Sequence, residues 1–235
     1  MGRIGDRQLT KKGEAMGKKR LQLALAFFFI TLLPTVSVCA EEMEFVLGIG
    51  LASHYFAELD DLRQETSMSS DKDEIEDIRG LEIYAEYFVA DPFASGVKGQ
   101  SMAGRIDYIA TDFTMERRVK LNNMIGYVNF LPKVGDGYCR LGFTLGYGSS
   151  KYIYSLERVC DSGASNCKNE KDKYTSDGTM AVFGFIADWG KDGSGGRIGY
   201  NLTSAEHEDI EFLDGSKQEV KASGSQLHID FRYAF

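Results

Sequence analysis

Three histidines, four cysteines and one Ser-His dipeptide are the residues of this 235-residue chain best equipped for nucleophilic, metal or redox chemistry. Ser53 and His54 would supply a nucleophile and a base, but neighbours in an extended strand point to opposite faces and cannot share a proton. No third group stands ready to orient His54. His207 lies in the run Glu206-His207-Glu208-Asp209 and reads as a solvated loop residue beside an acidic cluster. Cys160 and Cys167 have no histidine close in sequence, which leaves a metal site incomplete. In an exported chain the two are expected to pair as a disulfide. Cys139 keeps phase with Leu141 and Phe143, so it is left as an outward or interfacial thiol. From Glu58 to Asp77 the chain carries Asp60, Asp61, Glu65, Asp71, Asp73, Glu74, Glu76 and Asp77. Divalent cations could bridge such a stretch to lipopolysaccharide phosphates, but its spacing matches no EF-hand loop and a solvated surface loop is expected. These residues predict no catalytic, cofactor or metal site, and therefore no enzyme.

The N-terminus predicts export. Lys18-Lys19-Arg20 precede the apolar run Leu21 to Leu33, which is followed by Pro34 to Ala40 with small residues at Val38 and Ala40; this is a signal peptide in form, cut after Ala40. The run of about 13 residues falls short of the roughly 20 that a spanning helix needs. Lipid attachment at Cys39 is disfavoured by Val38, which stands where Gly, Ala or Ser is wanted. The polar Met1 to Ala15 precedes a second methionine, Met16, and carries no fold information. Two regions follow: an extension and signal peptide over 1–40, and a single domain over 41–235.

Residues 1–40 hold 7 of the 27 Lys and Arg and 2 of the 35 Asp and Glu, which leaves 20 against 33 and a formal charge of −13 on the exported chain. Nucleic-acid binding is excluded, because phosphate affinity comes from clustered Lys and Arg. With 26 Gly, 12 Tyr, 15 Phe and only 3 Pro, the composition fits many strands, tight turns and an aromatic surface. After Ala40 no stretch is long and apolar enough for a transmembrane helix. Membrane insertion therefore requires a closed barrel, the other structure that satisfies every backbone group in lipid.

Alternation predicts eight strands: Glu44 to Phe56, Gly80 to Ala90, Ser101 to Thr111, Val119 to Leu131, Tyr138 to Gly148, Thr179 to Trp189, Gly196 to Thr203, and a closing strand through Leu227-His228-Ile229-Asp230-Phe231-Arg232-Tyr233-Ala234-Phe235. In the third, Ile106, Tyr108 and Ala110 oppose Arg105, Asp107 and Ile109. The fourth has no clear register, because Asn123 and Asn129 interrupt one face while Lys120 and Asn122 interrupt the other. In the sixth, Ala181, Phe183, Phe185, Ala187 and Trp189 take the outer face. The connections Glu58 to Arg79, Ser149 to Gly178 and Ser204 to Gly224 are long and polar, whereas Leu131 to Gly137 and Gly190 to Gly195 are short. Asp91 to Gln100 is long for an inner turn, and Asp112 to Arg118 is short for an outer loop.

With a signal peptide, alternating strands, loop asymmetry and the ending Phe231-Arg232-Tyr233-Ala234-Phe235, the chain resembles the small eight-stranded outer-membrane β-barrels of the OmpA-like and OmpX-like group. The resemblance covers nearly all of Glu41 to Phe235 and is architectural. It implies an all-β, eight-stranded antiparallel up-and-down transmembrane barrel in the outer membrane, in contact with lipid and lipopolysaccharide. It also implies that Phe231, Tyr233 and Phe235 are read by the barrel-insertion machinery. An interior this narrow is filled by side chains, so the inward Glu82, Glu86, Arg105, Asp107, Arg140, His228, Asp230 and Arg232 are expected to satisfy one another as a polar network. The role expected is structural or surface interaction with a ligand or host partner. A narrow channel, a lipid A-modifying enzyme and a soluble periplasmic ligand-binding barrel are the alternatives.

Overall fold

The two-residue period of the sequence builds eleven strands among the described residues: β1 (Phe45–Leu59), β2 (Asp77–Ala90), β3 (Phe93–Ile109), β4 (Phe113–Phe130), β5 (Lys133–Val134), β6 (Cys139–Cys160), β7 (Glu170–Lys191), β8 (Ser194–His207), β9 (Ile210–Glu211), β10 (Lys217–Gln218) and β11 (Ala222–Ala234). They come from a computed structural model, in which residues 44–59, 77–109, 112–135, 139–160, 167–191, 193–211, 217–218, 220 and 222–235 are described. The predicted signal peptide and cleavage site, and nearly all of the acidic stretch from Glu58 to Asp77, lie outside the described residues.

Eight of the strands close on themselves in antiparallel order β1-β2-β3-β4-β6-β7-β8-β11, with β11 returning to β1. Val46 faces Ala234 and Leu59 faces Ala222 across that seam, and Phe113 faces Cys160 across β4–β6. Closure leaves no strand edge within the barrel wall, which is the condition for a sheet in hydrocarbon. The remaining strands are ornaments: β5 adds two residues to β6, and β9 pairs with β10 as a small hairpin.

The connections differ in length from those the sequence suggests, and the outer connection between β3 and β4, residues 110–112, is shorter still than the Asp112 to Arg118 expected. β2 and β3 are joined by Asp91-Pro92 alone, so the expected inner connection Asp91 to Gln100 is for the most part strand. The segment Ser149 to Gly178, expected as a loop, is also largely strand, because β6 runs to Cys160 and β7 starts at Glu170. The short connections from β2 to β3, from β4 to β6 and from β7 to β8 share one end of the barrel with Glu44 and Phe235, and the other connections lie at the opposite end.

Patterning inverts along the barrel axis. Near the turns the outside is apolar: Leu51, Leu81, Ile83, Met124, Phe185 and Phe231 are each more than half exposed. Apolar surface in water is unfavourable by about 25 cal/mol per Å², and a band of it on every wall is a surface made for lipid. Rings gather at its turn-side rim, with Phe45 6.2 Å from Phe235, Phe93 5.2 Å from Phe130 and Phe130 5.3 Å from Phe143, in the manner of an interfacial aromatic girdle. Farther from the turns the outside becomes charged, with Arg105 and Asp107 on β3, Glu116 and Arg118 on β4, and Lys171 on β7. There the inside becomes apolar, and Ile78, Met102, Val119, Leu121, Tyr152 and Met180 are wholly or almost wholly buried in one cluster. The lipid-facing part is thus a membrane barrel, and the part beyond it is packed like a water-soluble one.

Candidate functional site

The barrel core contains three layers. Val46, Phe88, Ala94 and Leu131 form an apolar floor at the turn end, the Met102–Leu121–Tyr152 cluster forms a roof, and polar side chains fill the space between. Arg197 anchors the lower half of that polar layer. Its guanidinium lies 2.8 Å from Glu86 and 3.0 Å from Asp188, and its carbon sits 4.6 Å from the Tyr84 ring centroid. Asn129 donates to Glu86, and Arg232 reaches Asp188 at 3.6 Å.

Glu82 anchors the upper half. It pairs with Lys98 at 3.3 Å, accepts from Gln100 and lies 3.5 Å from His228 Nδ1, which is itself 2.8 Å from Asp230. Gln100 donates to Gln226 at 2.8 Å, Asn123 donates to Gln100 at 3.0 Å and Ser150 donates to Asn123 at 2.8 Å. Ser150 in turn lies 3.0 Å from His207 Nε2. The chain of contacts therefore climbs from the barrel centre to the base of the roof.

Glycines opposite Tyr84 and His228 make this filling fit. A Cβ on Gly48 would stand 2.1 Å from Tyr84 Cζ, and one on Gly199 would stand 2.0 Å from His228 Nε2. Both overlaps are with ring atoms, which have little freedom to move aside.

The structure separates the expected inward set. Glu82, Glu86, His228, Asp230 and Arg232 come together in the polar layer, whereas Arg105 and Asp107 stand on the outer surface, where they pair with each other at 2.7 Å. Their expected inward position is corrected because their segment lies beyond the lipid band, where the apolar face of a strand turns inward. Arg140 closes the turn end instead, 2.6 Å from Asp91, with its guanidinium carbon 4.7 Å from the Phe88 ring centroid. Phe231, Tyr233 and Phe235 face outward at the turn-side rim.

Lys98, Gln100, Asn123, Asp188, Arg197 and Gln226 were missing from the expected set. Lys98 falls in a segment read as a connection, while the alternation of β8 already set Arg197 opposite Ile198 and Tyr200. What sequence did not supply was its partners, which lie 9 and 111 residues away.

His207 is also corrected, being buried in the core rather than solvated. Its contact with Ser150 has the wrong direction for nucleophilic catalysis. The single hydroxyl hydrogen of Ser150 goes to Asn123, so His207 Nε2 donates to Ser150 instead of taking its proton. Glu82, His228 and Asp230 are the three potential ligands that approach within 4.8 Å of one another among the described residues. A metal there would have to compete with the Lys98 ammonium and break the His228–Asp230 hydrogen bond. Cys160 and Cys167 form the expected disulfide, with Cα atoms 5.7 Å apart, and Cys139 is a free, half-buried thiol.

A cavity of about 10 Å³ lies at the level of Tyr84, Tyr127 and His228. A groove of about 580 Å³ is instead on the lipid-facing wall, between Leu141, Phe143, Phe185 and Tyr200.

The second candidate feature lies beyond the lipid band. β6 and β7 each contain 22 residues, about twice the roughly 9 to 11 that cross a membrane. Pairing between β2 and β3 stops at Arg79–Ala103, and pairing between β7 and β8 stops at Gly178–His207. Among the described residues, the farther parts of β3, β4, β6 and β7 therefore continue as a sheet of four strands. Among the described residues, Gly104 to Ile109 and Glu170 to Ser176 have no ladder partner on their outer sides. Tyr154 stacks on Tyr174 at 6.3 Å on one face of this sheet, and Lys171 pairs with Glu157 at 2.8 Å on the other.

Closed antiparallel pairing, an even strand number and a lipid-facing band make this an outer-membrane β-barrel. No family model matches the chain, and no curated protein is significantly similar to it. Solved structures similar to it include Ail, the attachment invasion locus protein of Yersinia pestis, in complex with the heparin analogue sucrose octasulfate (14% identity over 82% of this chain and 100% of that one, TM-score 0.43). They also include OprG from Pseudomonas aeruginosa (13% identity, 82% and 95%, TM-score 0.39) and a major outer membrane protein from Thermus thermophilus (10% identity, 83% and 100%, TM-score 0.44).

Proposed function

We propose that this outer-membrane barrel is a closed scaffold that displays a β-sheet to the cell exterior for surface interaction with a ligand or partner. The observation that carries this reading is the sheet itself, whose strands continue well past the lipid band and whose two outer edges have no ladder partner among the described residues. An edge strand offers a row of N–H and C=O groups to an extended segment of another protein, and its side chains select which segment fits. The signal peptide ending at Ala40 delivers the chain, and the terminal Phe231, Tyr233 and Phe235 serve as the recognition segment for insertion.

The test is to trim the sheet without touching the barrel. Cells displaying the chain with residues 155–174 replaced by a short Gly-Asn turn are compared with wild type for adhesion and self-association. Retained heat-modifiable gel mobility would show that the shortened barrel still folds. Loss of adhesion in the trimmed form is the expected result, and equal adhesion by the two forms would overturn the reading.

A channel is the second reading, and the charged interior is what favours it. Against it stand the ion pairs and hydrogen bonds that fill the polar layer, and an interior cavity of about 10 Å³ that is far too small for a solute path. Purified protein in planar bilayers is expected to give no conductance steps, and steps above background would restore the channel.

A further inference from the structure

Strand register sets the floor and the frame of the groove on the lipid-facing wall. Ala187 pairs between Leu141 and Ile198, and Phe143, Phe185 and Tyr200 stand in the next outward row. One alanine among long side chains leaves a dent. It holds about 580 Å³, within the roughly 300–1,000 Å³ of small-ligand sites. From the dent toward the turn, the outward positions of β7 are Trp189 and then Lys191, the last residue of the strand, and both are exposed. The Trp189 ring lies over Gly196 of β8, where an added Cβ would stand 2.5 Å from it. Lys191 faces Ser194 across the β7–β8 pair, and Tyr233 lies beyond Ser194.

Depth follows from the same register. Ala187 is four positions from Lys191 and Phe185 is six, which is roughly 13 and 20 Å along the strand at about 3.3 Å per residue. A strand tilt of about 40° reduces these to roughly 10 and 15 Å along the membrane normal. Half of the hydrocarbon core is about 15 Å. The groove therefore runs through one leaflet, from beneath the rim to the midplane. Short turns of outer-membrane barrels face the periplasm, so that leaflet is the periplasmic one.

We propose that this wall holds an anionic phospholipid of the periplasmic leaflet as a resident ligand, with one acyl chain laid over Ala187 and the phosphate beside Lys191. Charge selects the headgroup, because a lysine at a bilayer surface attracts anionic lipid. Trp189 supplies the amphipathic ring suited to the interface. A second copy of the chain is the poorer occupant. The common two-fold dimer would set groove against groove and leave a void in which both walls forfeit contacts.

Native mass spectrometry of the full chain, released by mild detergent from vesicles of phosphatidylethanolamine and phosphatidylglycerol, tests the site. Heat-modifiable mobility reports folding of each variant. One phosphatidylglycerol should remain on wild type. Ala187→Phe fills the dent and should abolish retention, whereas Ile83→Phe, on the outer face of β2 across the barrel, should keep it. Lys191→Gln should retain lipid but lose about fivefold in preference for phosphatidylglycerol, the contribution of one lysine near an anionic surface. Wild type without bound lipid, retention by Ala187→Phe equal to wild type, or an unchanged preference in Lys191→Gln would overturn the inference. So would a dimer that Ala187→Phe dissolves, since the groove would then be an interface between copies.

Discussion

Arg197 holds two carboxylates from two strands, and among the described residues no other side chain bridges them. Its removal strands Glu86 and Asp188 in a buried layer, and breaking a buried pair by deleting one partner costs about 3–5 kcal/mol. Arg197→Met should therefore lower the urea midpoint strongly, with the folded fraction followed by gel mobility. Arg105→Ala, which removes only a surface pair, should leave that midpoint unchanged. His207 makes a second prediction. Burial, the larger influence, holds it below its ordinary value of 6.5, while the Val220 backbone and Asp177 oppose that shift. A lowered folded value means that the unfolded chain takes up the proton first, so the histidine leaves stability unchanged above about pH 6.5. As pH falls from there toward the folded value, stability is lost. Protection of the β8 end against hydrogen exchange, taken relative to the intrinsic rate at each pH, should fall as pH drops from 7 to 5, and His207→Gln should remove that loss.

Along β7 a single strand crosses two solvents. Phe185 lies in the lipid band and Lys173 beyond it, so identical side chains should have opposite consequences at the two positions. Phe185→Arg should cost about 2–4 kcal/mol, as a cation does near the bilayer midplane, and should reduce the inserted fraction in folding assays into vesicles. Lys173→Glu should insert as wild type does. At the far end of the same hairpin, the Cys160–Cys167 disulfide ties β6 to the approach of β7. Changing both cysteines to Ser should leave barrel mobility on gels unchanged and speed hydrogen exchange at the tips of β6 and β7. A loss of barrel stability in that variant would mean that the open sheet and the closed wall are one cooperative unit.

For the whole molecule, closure decides what the interior can do. Eight strands leave a lumen that side chains can fill, and here an apolar floor, a polar layer and an apolar roof fill it. Replacing Tyr84 and Tyr127 together by Ala should open that layer and produce conductance steps absent from wild type, and a silent double variant would show that the roof alone seals the barrel. Sequence alone determined the all-β class, the eight wall strands and the Cys160–Cys167 pair, because the first two are written in local alternation and the third in the nearness of the two cysteines within one connection of an exported chain. It also marked the inward phase of Glu82, Glu86, His228, Asp230 and Arg232, which lie in the stretches that face lipid on their other side. Only the tertiary structure decided where Arg105, Asp107 and His207 belong, and that β6 and β7 continue through a segment that reads as loop. Alternation reports that a strand has two faces, but which face points inward depends on the solvent outside. That solvent changes from lipid to water partway along these strands, at a height fixed by pairing across the barrel and recorded in no single segment.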